Sequence, residues 1–128
     1  MRKMTPEEHE KSILNSHYKL IRHFKRELKD PTSFESLYVF RGVATHSETG
    51  EKLVVYSDGV EGKWYVRPYD MFMSEVDHEK YPDIKQQYRF ERLTLHEIQR
   101  LNRTAFRKWV DEHLTGAEDI YLATAIKN

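Results

Sequence analysis

Apolar side chains in the first thirty residues recur at steps of three and four, the spacing of one helix face. Thr5 is followed by Pro6 and then by Glu8, which is the pattern of a capping box with proline in the first turn. Asp30 precedes Pro31, a position that disfavours helical backbone. The pattern therefore predicts an N-terminal helix over residues 5–30, with a stripe of Ile13, Leu14, Tyr18, Ile21, Phe24 and Leu28.

From residue 37 onward the pattern changes to short β-branched and aromatic runs separated by turn residues, which is typical of antiparallel strands. Strands are predicted at 37–44, 52–56 and 63–67, joined by turns at Ser47–Gly50 and at Asp58–Gly62. The polar stretch 77–87 predicts a loop that leaves the sheet before a short strand at 88–90. Together these strands predict a small β-barrel over residues 37–92.

A second capping pattern, Thr94 with Glu97, starts another helical stripe that runs to Trp109. It predicts a C-terminal helix over 94–115, ended by Gly116, and a short terminal helix or strand at 117–126. A chain of 128 residues suits one domain. We therefore expect a single domain, residues 1–128, of the α+β class: a strongly bent antiparallel β-barrel flanked by N-terminal and C-terminal helices.

Composition excludes several classes of protein. Basic and acidic residues balance at 21 each, so no overall field steers the chain to nucleic acid or to an anionic membrane. Cysteine is absent, which excludes a disulfide framework, a thiolate nucleophile and a cysteine-based zinc site. No apolar run approaches the roughly 18 residues of a membrane span, and the start lacks the apolar core of a signal peptide. We expect a cytoplasmic protein with no membrane partner.

An ordered set of motifs in the predicted meander resembles a known family, the domain of unknown function 1653 (DUF1653). The set consists of Tyr38, Gly42-Val-Ala44, His46-Ser-Glu-Thr49, Glu51, Val54-Val-Tyr56, Trp64, Val66-Arg-Pro68, Met71-Phe72, Glu75 and Arg89-Phe90. The resemblance implies a small, strongly bent sheet of the SH3-like barrel type, found in bacterial or phage proteins whose biochemical role is unassigned. It covers roughly half of the chain, leaving residues 1–17 and 93–128 as additions.

The motif that precedes this set departs from the family. Tyr18 with His23-Phe-Lys25 is similar to the family's aromatic residue followed by His-Phe-Lys-Gly, but Arg26 stands in place of the glycine. About a dozen residues then separate the motif from Tyr38, where the family has only a few. This leaves open whether His23 to Lys25 belong to the N-terminal helix or to a first strand.

Polar and aromatic residues of the meander define a candidate ligand-binding edge, formed by His46, Glu48, Tyr56, Trp64, Arg67 and Phe72. His46 and Glu48 alternate along the hairpin and would face Arg67 from the third strand. Beside Trp64, Arg67 offers a planar guanidinium to a carboxylate or a phosphate.

Each of these residues also has a structural interpretation. Ser47 and Thr49 suit hydrogen bonds within the turn, with His46 closing its base, and Arg67 suits an ion pair with Glu48 or Glu75. The aromatic residues suit a core, and two of the five residues Tyr56, Trp64, Tyr65, Tyr69 and Phe72 are expected to be exposed.

Catalysis and metal binding find little support in the residue pattern. Neighbouring side chains on a strand point to opposite faces, so His46, Ser47 and Glu48 do not form a triad. None of the seven histidines shows the four-residue helical spacing of paired metal ligands. We therefore expect no catalytic residue, no metal and no cofactor.

Basic residues form a stripe on the predicted C-terminal helix, where Arg100, Arg103 and Arg107 would contact phosphates. The alternative is a solvated face with salt bridges to Glu97 and Asp111. A second basic cluster lies near the N-terminus and would join the stripe if the two helices packed side by side. It consists of Arg22, Lys25, Arg26 and Lys29.

Three classes of function follow. The first is a binding module that recognises a peptide, a nucleotide or a nucleic acid segment at the barrel edge, with nucleic acid not favoured. The second is a homo-oligomeric interaction or inhibitor protein, of phage origin for example, assembled through Trp109, Val110 and Leu114. The third is a hydrolase that uses His46 and Glu48, although a nucleophile, a phosphate loop and a metal set are lacking. We expect the first; its partner, a small molecule or a macromolecule, stays unknown.

Overall fold

The computed structural model describes residues 3–15 and 20–113. Its elements, in chain order, are α1 (Pro6–Leu14), β1 (Leu20–His23), a 3₁₀ helix (Phe24–Leu28), β2 (Leu37–Thr45), β3 (Lys52–Asp58), β4 (Trp64–Pro68), α2 (Tyr69–Phe72), β5 (Phe90–Arg92), α3 (Leu95–Gln99) and α4 (Arg103–His113). The expected α+β class is confirmed. The element predicted at 117–126 lies outside the described residues.

Helix α1 begins where the sequence predicts, but it ends after nine residues. The Thr5 hydroxyl accepts from the Glu8 amide, and the Glu8 carboxylate accepts from the Thr5 amide, so the capping box is confirmed. The prediction of one helix over 5–30 is wrong, because β1 pairs with β2 on one side and with β5 on the other. Leu20 and Ile21 are therefore buried on opposite sheet faces, while Leu28 is 73% exposed.

The predicted meander is confirmed as three consecutive antiparallel strands, β2, β3 and β4. The sheet has five strands in the order β4-β3-β2-β1-β5. Gly50 closes the β2–β3 turn with a φ of 75°, a backbone conformation that favours glycine. The last strand is 90–92 and not 88–90, since Tyr88 forms only an isolated bridge with Glu75.

Both faces of the sheet are covered by apolar clusters. One face packs against α3 and α4, and its buried side chains are Leu20, Leu37, Val39, Leu93, Ile98, Leu101 and Phe106. The other face packs against α1 and α2, with Ile13, Ile21, Phe40, Val54, Tyr56, Tyr69, Phe72, Met73 and Phe90. The central strands are thus buried between two layers of helices.

The sheet is bent but open. In a flat sheet β3 and β5 would lie about 14 Å apart, because two strands separate them. The Tyr56 and Phe90 ring centroids are nevertheless only 5.5 Å apart, and the Arg67 guanidinium of β4 lies 5.8 Å from the Phe90 ring. Among the described residues, however, β4 and β5 do not pair with each other, so the predicted barrel is not confirmed.

Helix α1 covers the outer edge of β5. The His9 Nε2 lies 2.7 Å from the Phe90 carbonyl oxygen, and the His9 ring stacks on Tyr88 at 3.9 Å. A carbonyl can only accept, so Nε2 carries the proton, and the buried Nδ1 has no partner in the described part of the chain. Burial lowers the pKa of His9 and favours this neutral form. One edge of the sheet is therefore closed.

The C-terminal helical region begins at Thr94 as predicted, with both bonds of the capping box present. One continuous helix over 94–115 is a wrong prediction, because α3 ends at Gln99 and α4 begins at Arg103. Asn102 separates them: its side chain accepts from the Ala105 amide at 3.0 Å, and its own amide donates to the Thr32 carbonyl at 3.2 Å. None of the helices in the described ranges has the length and apolar character needed to cross a membrane.

Arg26 anchors the connection between the 3₁₀ helix and β2. His23 is the last residue of β1 and Lys25 lies in the 3₁₀ helix, which answers the question that the sequence left open. The buried Arg26 guanidinium donates to the Pro31 carbonyl at 2.9 Å and to the Glu35 carbonyl at 2.8 Å. The residue that replaces the glycine of the resembling family therefore holds the longer segment that follows it.

We expect Arg26→Ala to lower the free energy of unfolding by about 2 kcal/mol, because two carbonyls lose charged donors. Urea denaturation followed by circular dichroism measures this loss. Lys25→Ala, at the exposed neighbouring position, serves as the control and should change stability by less than about 0.5 kcal/mol. Equal stabilities of the two variants would show that Arg26 does not anchor the segment.

Candidate binding surfaces

His46 and Glu48 lie in the exposed turn between β2 and β3. The His46 Nδ1 accepts from the amides of Glu48 and Thr49, both at 3.2 Å, and the His46 amide donates to the Glu51 carbonyl at 2.8 Å. This arrangement matches the structural interpretation, in which His46 closes the turn. Within the described ranges no ion pair joins Glu48 to Arg67, and no group of three or more potential metal ligands is found.

Trp64 and Arg67 point to opposite faces of β4. They are three residues apart on one strand, opposite Ser57 and Val54 respectively on β3. The Trp64 indole lies on the side of Arg41, whereas the Arg67 guanidinium lies over the Phe90 ring. The structure therefore does not bring these two side chains into one concavity, and the expected site with His46, Glu48 and Arg67 together is not assembled.

Two of the five meander aromatics are exposed, as expected. Trp64 is 61% exposed and Tyr65 is 38% exposed, whereas Tyr56, Tyr69 and Phe72 are buried. Tyr56 and Phe72, which the sequence suggested as ligand contacts, pack against each other and against Phe90 in the core. They support the sheet and do not line a surface site.

The basic stripe Arg100, Arg103 and Arg107 is divided by the break between α3 and α4. Arg103 and Arg107 line one shallow pocket on α4. Arg100 lines a different and larger cleft with Arg26 and Lys29, so residues from the two predicted basic clusters do meet, although not on packed helices. The side chains of Trp109 and Val110, and all of Leu114, lie outside the described residues.

Strand β4 is the other edge of the sheet, and no element of residues 3–15 and 20–113 pairs with its outer side. The Asp58 amide donates to the Lys63 carbonyl at 2.8 Å, so these two facing residues form a hydrogen-bonded pair. Along two antiparallel strands, hydrogen-bonded residue pairs alternate with pairs that are not hydrogen-bonded. Tyr65 and Arg67 therefore bond to β3, while the amide and carbonyl groups of Trp64 and Val66 point away from the sheet. These outward groups have no partner among residues 3–15 and 20–113.

One face of this edge carries an exposed apolar surface with a fixed cation. Trp64 and Val66 are each 61% exposed. The Arg41 guanidinium lies 4.8 Å from the Trp64 ring, and its Nε donates to the Ser57 hydroxyl at 3.1 Å. The hydroxyl and the indole hold the guanidinium in place, which makes the surface preorganised.

The opposite face of the edge is positively charged. Arg67 is half-buried and no described carboxylate forms a salt bridge with it. Burial, together with the charges of Lys25, Arg67 and Arg89, lowers the pKa of His23 to about 4. The region is therefore suited to a negatively charged group.

Comparison with known proteins identifies the family. A family model described as a protein of unknown function, DUF1653, matches residues 18–92, which is more than half of the chain. The chain belongs to the DUF1653 family. No curated protein and no solved structure matches it. In this DUF1653 protein the β4 edge lies inside the matched residues, whereas α3 and α4, with their three arginines, lie beyond them.

Sequence reasoning missed Arg41 and Val66 in this DUF1653 protein. Pro68 carried a signal for Val66, since a proline in a strand indicates an edge strand. Arg41 carried none, because its direction depends on a bulge in β2, where the register shifts between Phe40 and Gly42.

Proposed function

We propose that this DUF1653 protein is a peptide-binding module that accepts an extended segment of another protein as an added strand along β4. The observation that carries the proposal is the pair of outward-pointing backbone groups at Trp64 and Val66. A free sheet edge of this kind is a template for strand addition. The edge of β5 is covered by α1, so of the two sheet edges in the described part of the chain β4 is the one open to a ligand.

The two faces of β4 define the side chains of the ligand. On one face a bound segment would meet Trp64 and Val66, which favour apolar residues. On the other face it would meet Tyr65 and Arg67, which has no salt bridge to a described carboxylate and therefore favours a carboxylate of the ligand. Because side chains on a strand alternate between faces, the ligand should alternate apolar and acidic residues.

The proposal extends to the type of fold. The bend of the sheet and the family membership favour an SH3-like barrel as the description of the fold. A cytoplasmic location and a bacterial or phage origin stay predictions from the sequence.

A labelled peptide tests the proposal. We expect a fluorescent Thr-Val-Glu-Val-Glu-Val-Thr peptide to give saturable binding in fluorescence anisotropy. Val66→Pro should weaken binding at least about tenfold, because it removes an outward amide without removing a bond to β3. Val66→Thr keeps that amide and a branched side chain, and should stay within about threefold.

A second peptide tests whether Arg67 contacts the acidic side chains of the ligand. Replacing both glutamates of the peptide by glutamine should weaken binding to the wild-type protein but not to Arg67→Gln. Circular dichroism establishes that each variant is folded. If folded Val66→Pro binds the peptide as well as the wild-type protein does, strand addition along β4 is wrong.

Self-pairing through the same edge is a second candidate. The homo-oligomer that the sequence offered as an alternative would then form through β4 instead of through the helices. An antiparallel pair centred on Val66 would put Arg67 opposite Tyr65 of the second copy, and Trp64 opposite Pro68. Both pairs are compatible: the Arg67 cation can lie over the Tyr65 ring, and the Trp64 ring can pack against Pro68. Sedimentation equilibrium that shows a wild-type dimer, a Val66→Pro monomer and dissociation by the peptide would support this candidate, and a monomer at every concentration would exclude it.

A further inference from the structure

A cleft of about 1160 Å³ lies between the N-terminal segment, the 3₁₀ helix, residues 75–91 and the region of α3, and no residue of β4 lines it. Its volume is slightly above the range of about 300–1000 Å³ typical of small-molecule sites. Six basic residues line it: Lys3, Arg22, Arg26, Lys29, Lys85 and Arg100. Four acidic residues also line it: Glu27, Glu75, Glu91 and Glu97.

The acidic residues of the cleft are engaged by internal donors. Glu27 accepts from the amides of Lys85 and Gln86, the latter at 2.6 Å. Glu91 accepts from two further amides of the same loop and from Arg22. Glu97 accepts from Arg22 and closes the cap of α3, and Glu75 accepts from the Gln87 side chain. Glu91 and Glu97 thus pair with Arg22, whereas Glu27 and Glu75 accept from uncharged donors and keep their charge. The six basic residues of the lining still outnumber its four acidic residues.

Apart from Arg22, which pairs with Glu91 and Glu97, the basic residues of the cleft are engaged to a smaller extent. Lys3, Lys85 and Arg100 have no ion pair with any residue of the described ranges. Lys29 forms only an exposed bridge to Glu35 at 3.6 Å. Arg26 donates to carbonyls, so its hydrogen bonds are satisfied while its charge is not neutralised. The cleft therefore has an excess of positive charge.

The lining also restricts the chemistry of a ligand. Among the described residues no Phe, Tyr or Trp side chain lines the cleft, and the ring found there is the His78 imidazole, whose Nε2 lies 3.1 Å from the Gln86 carbonyl oxygen. The cleft therefore offers a nucleobase no large aromatic surface for stacking. Lysine and arginine together suit phosphate oxygens, lysine as a point charge and arginine as a planar donor. Several cations around one cleft suit a ligand with several phosphate groups.

We infer that this cleft binds a small, multiply charged phosphate compound, an oligophosphate recognised through its phosphate groups and not through a base. The site is separate from β4, and its existence does not depend on the proposed function. Lys85 and Arg100 are the principal contacts, because both line the cleft and neither forms a salt bridge with a carboxylate of the described residues.

Titration with tripolyphosphate tests the inference by isothermal calorimetry at low salt. We expect saturable one-to-one binding by the wild-type protein and a loss of at least about tenfold in affinity for Lys85→Ala/Arg100→Gln. The matched control, Lys11→Ala/Lys63→Ala, also removes two positive charges but lies outside the cleft. It should lose less than about threefold.

Three outcomes would overturn the inference. They are the absence of saturable binding by the wild-type protein, equal weakening in the two double variants, and tighter binding of a single-stranded oligonucleotide with the same dependence on Lys85 and Arg100. Amide chemical shifts in the titration identify the contacted residues independently. Shifts confined to 22–29, 85–91 and 94–100 would agree with the cleft, and shifts along β4 would contradict it.

Discussion

Phe72→Ala is expected to lower the free energy of unfolding by about 3–5 kcal/mol. Phe72 is fully buried, its ring stacks on Phe90 at 4.3 Å with an interplanar angle of 5°, and it lies 5.3 Å from the Tyr56 ring. The three rings come from α2, β5 and β3, so removing the central one leaves a cavity where distant parts of the sheet meet. The surrounding backbone elements would have to move together to fill this cavity, so most of it would remain.

Urea denaturation at neutral pH measures the effect. Phe72→Leu should cost clearly less, because it keeps most of the apolar volume. Met71→Ala, at a position that is 49% exposed, is the control and should cost less than about 0.5 kcal/mol. A loss below about 1 kcal/mol for Phe72→Ala would mean that the aromatic cluster does not hold the two edges of the sheet near each other.

Stability is expected to fall steeply as the pH drops from 6.5 towards 4. Burial is the main cause that lowers the pKa of His23 to about 4, and Lys25, Arg67 and Arg89 add to it. The unfolded chain takes up a proton at His23 near the ordinary value of 6.5. Between the two values the unfolded state therefore binds more protons, and acidification favours it. Above 6.5 the contribution is constant.

The difference between the two pKa values corresponds to about 3 kcal/mol when the transition is complete. Protonation of His9 also lowers the stability of the folded state as the pH drops, because burial lowers the pKa of His9 as well. The His23 Nδ1 accepts from the Lys25 amide at 3.1 Å, a bond that protonation would break. His23→Asn keeps a side-chain acceptor for that amide without a titration in this range.

Urea denaturation of the wild-type protein and His23→Asn at several pH values between 7 and 4.5 separates this contribution from that of the carboxylates. The wild-type protein should lose stability more steeply across this interval. Parallel curves for the two proteins would show that His23 titrates normally in the folded state.

Local signals in the sequence identified the meander and the starts of α1 and α3. Gly50 and the capping pairs at Thr5 and Thr94 act through bonds between near neighbours, so they could be recognised without the rest of the fold. The strand that contains Leu20 and Ile21 could not be recognised from near neighbours in this way. Their strand exists because β2 and β5 lie on both sides of it, and that pairing overrides a helical spacing.

The candidate site was harder to predict than the fold. The sequence identified Trp64 and Arg67 as notable but placed them together, although a spacing of three residues on one strand already puts two side chains on opposite faces. Asn102, by contrast, carried a readable cap signal at the start of α4 that the apolar spacing on both sides concealed. The pairing of Arg26 with carbonyls five and nine residues away had no local signal.

The unequal edges of the sheet limit how far association can proceed. Because α1 and His9 occupy the outer side of β5, β4 is the edge of the described sheet that can recruit another strand. Two copies joined through β4 would form a closed two-fold pair with no edge left for a third. The covered edge thus protects the protein against fibrillar polymerisation, even though it displays an apolar strand to its surroundings.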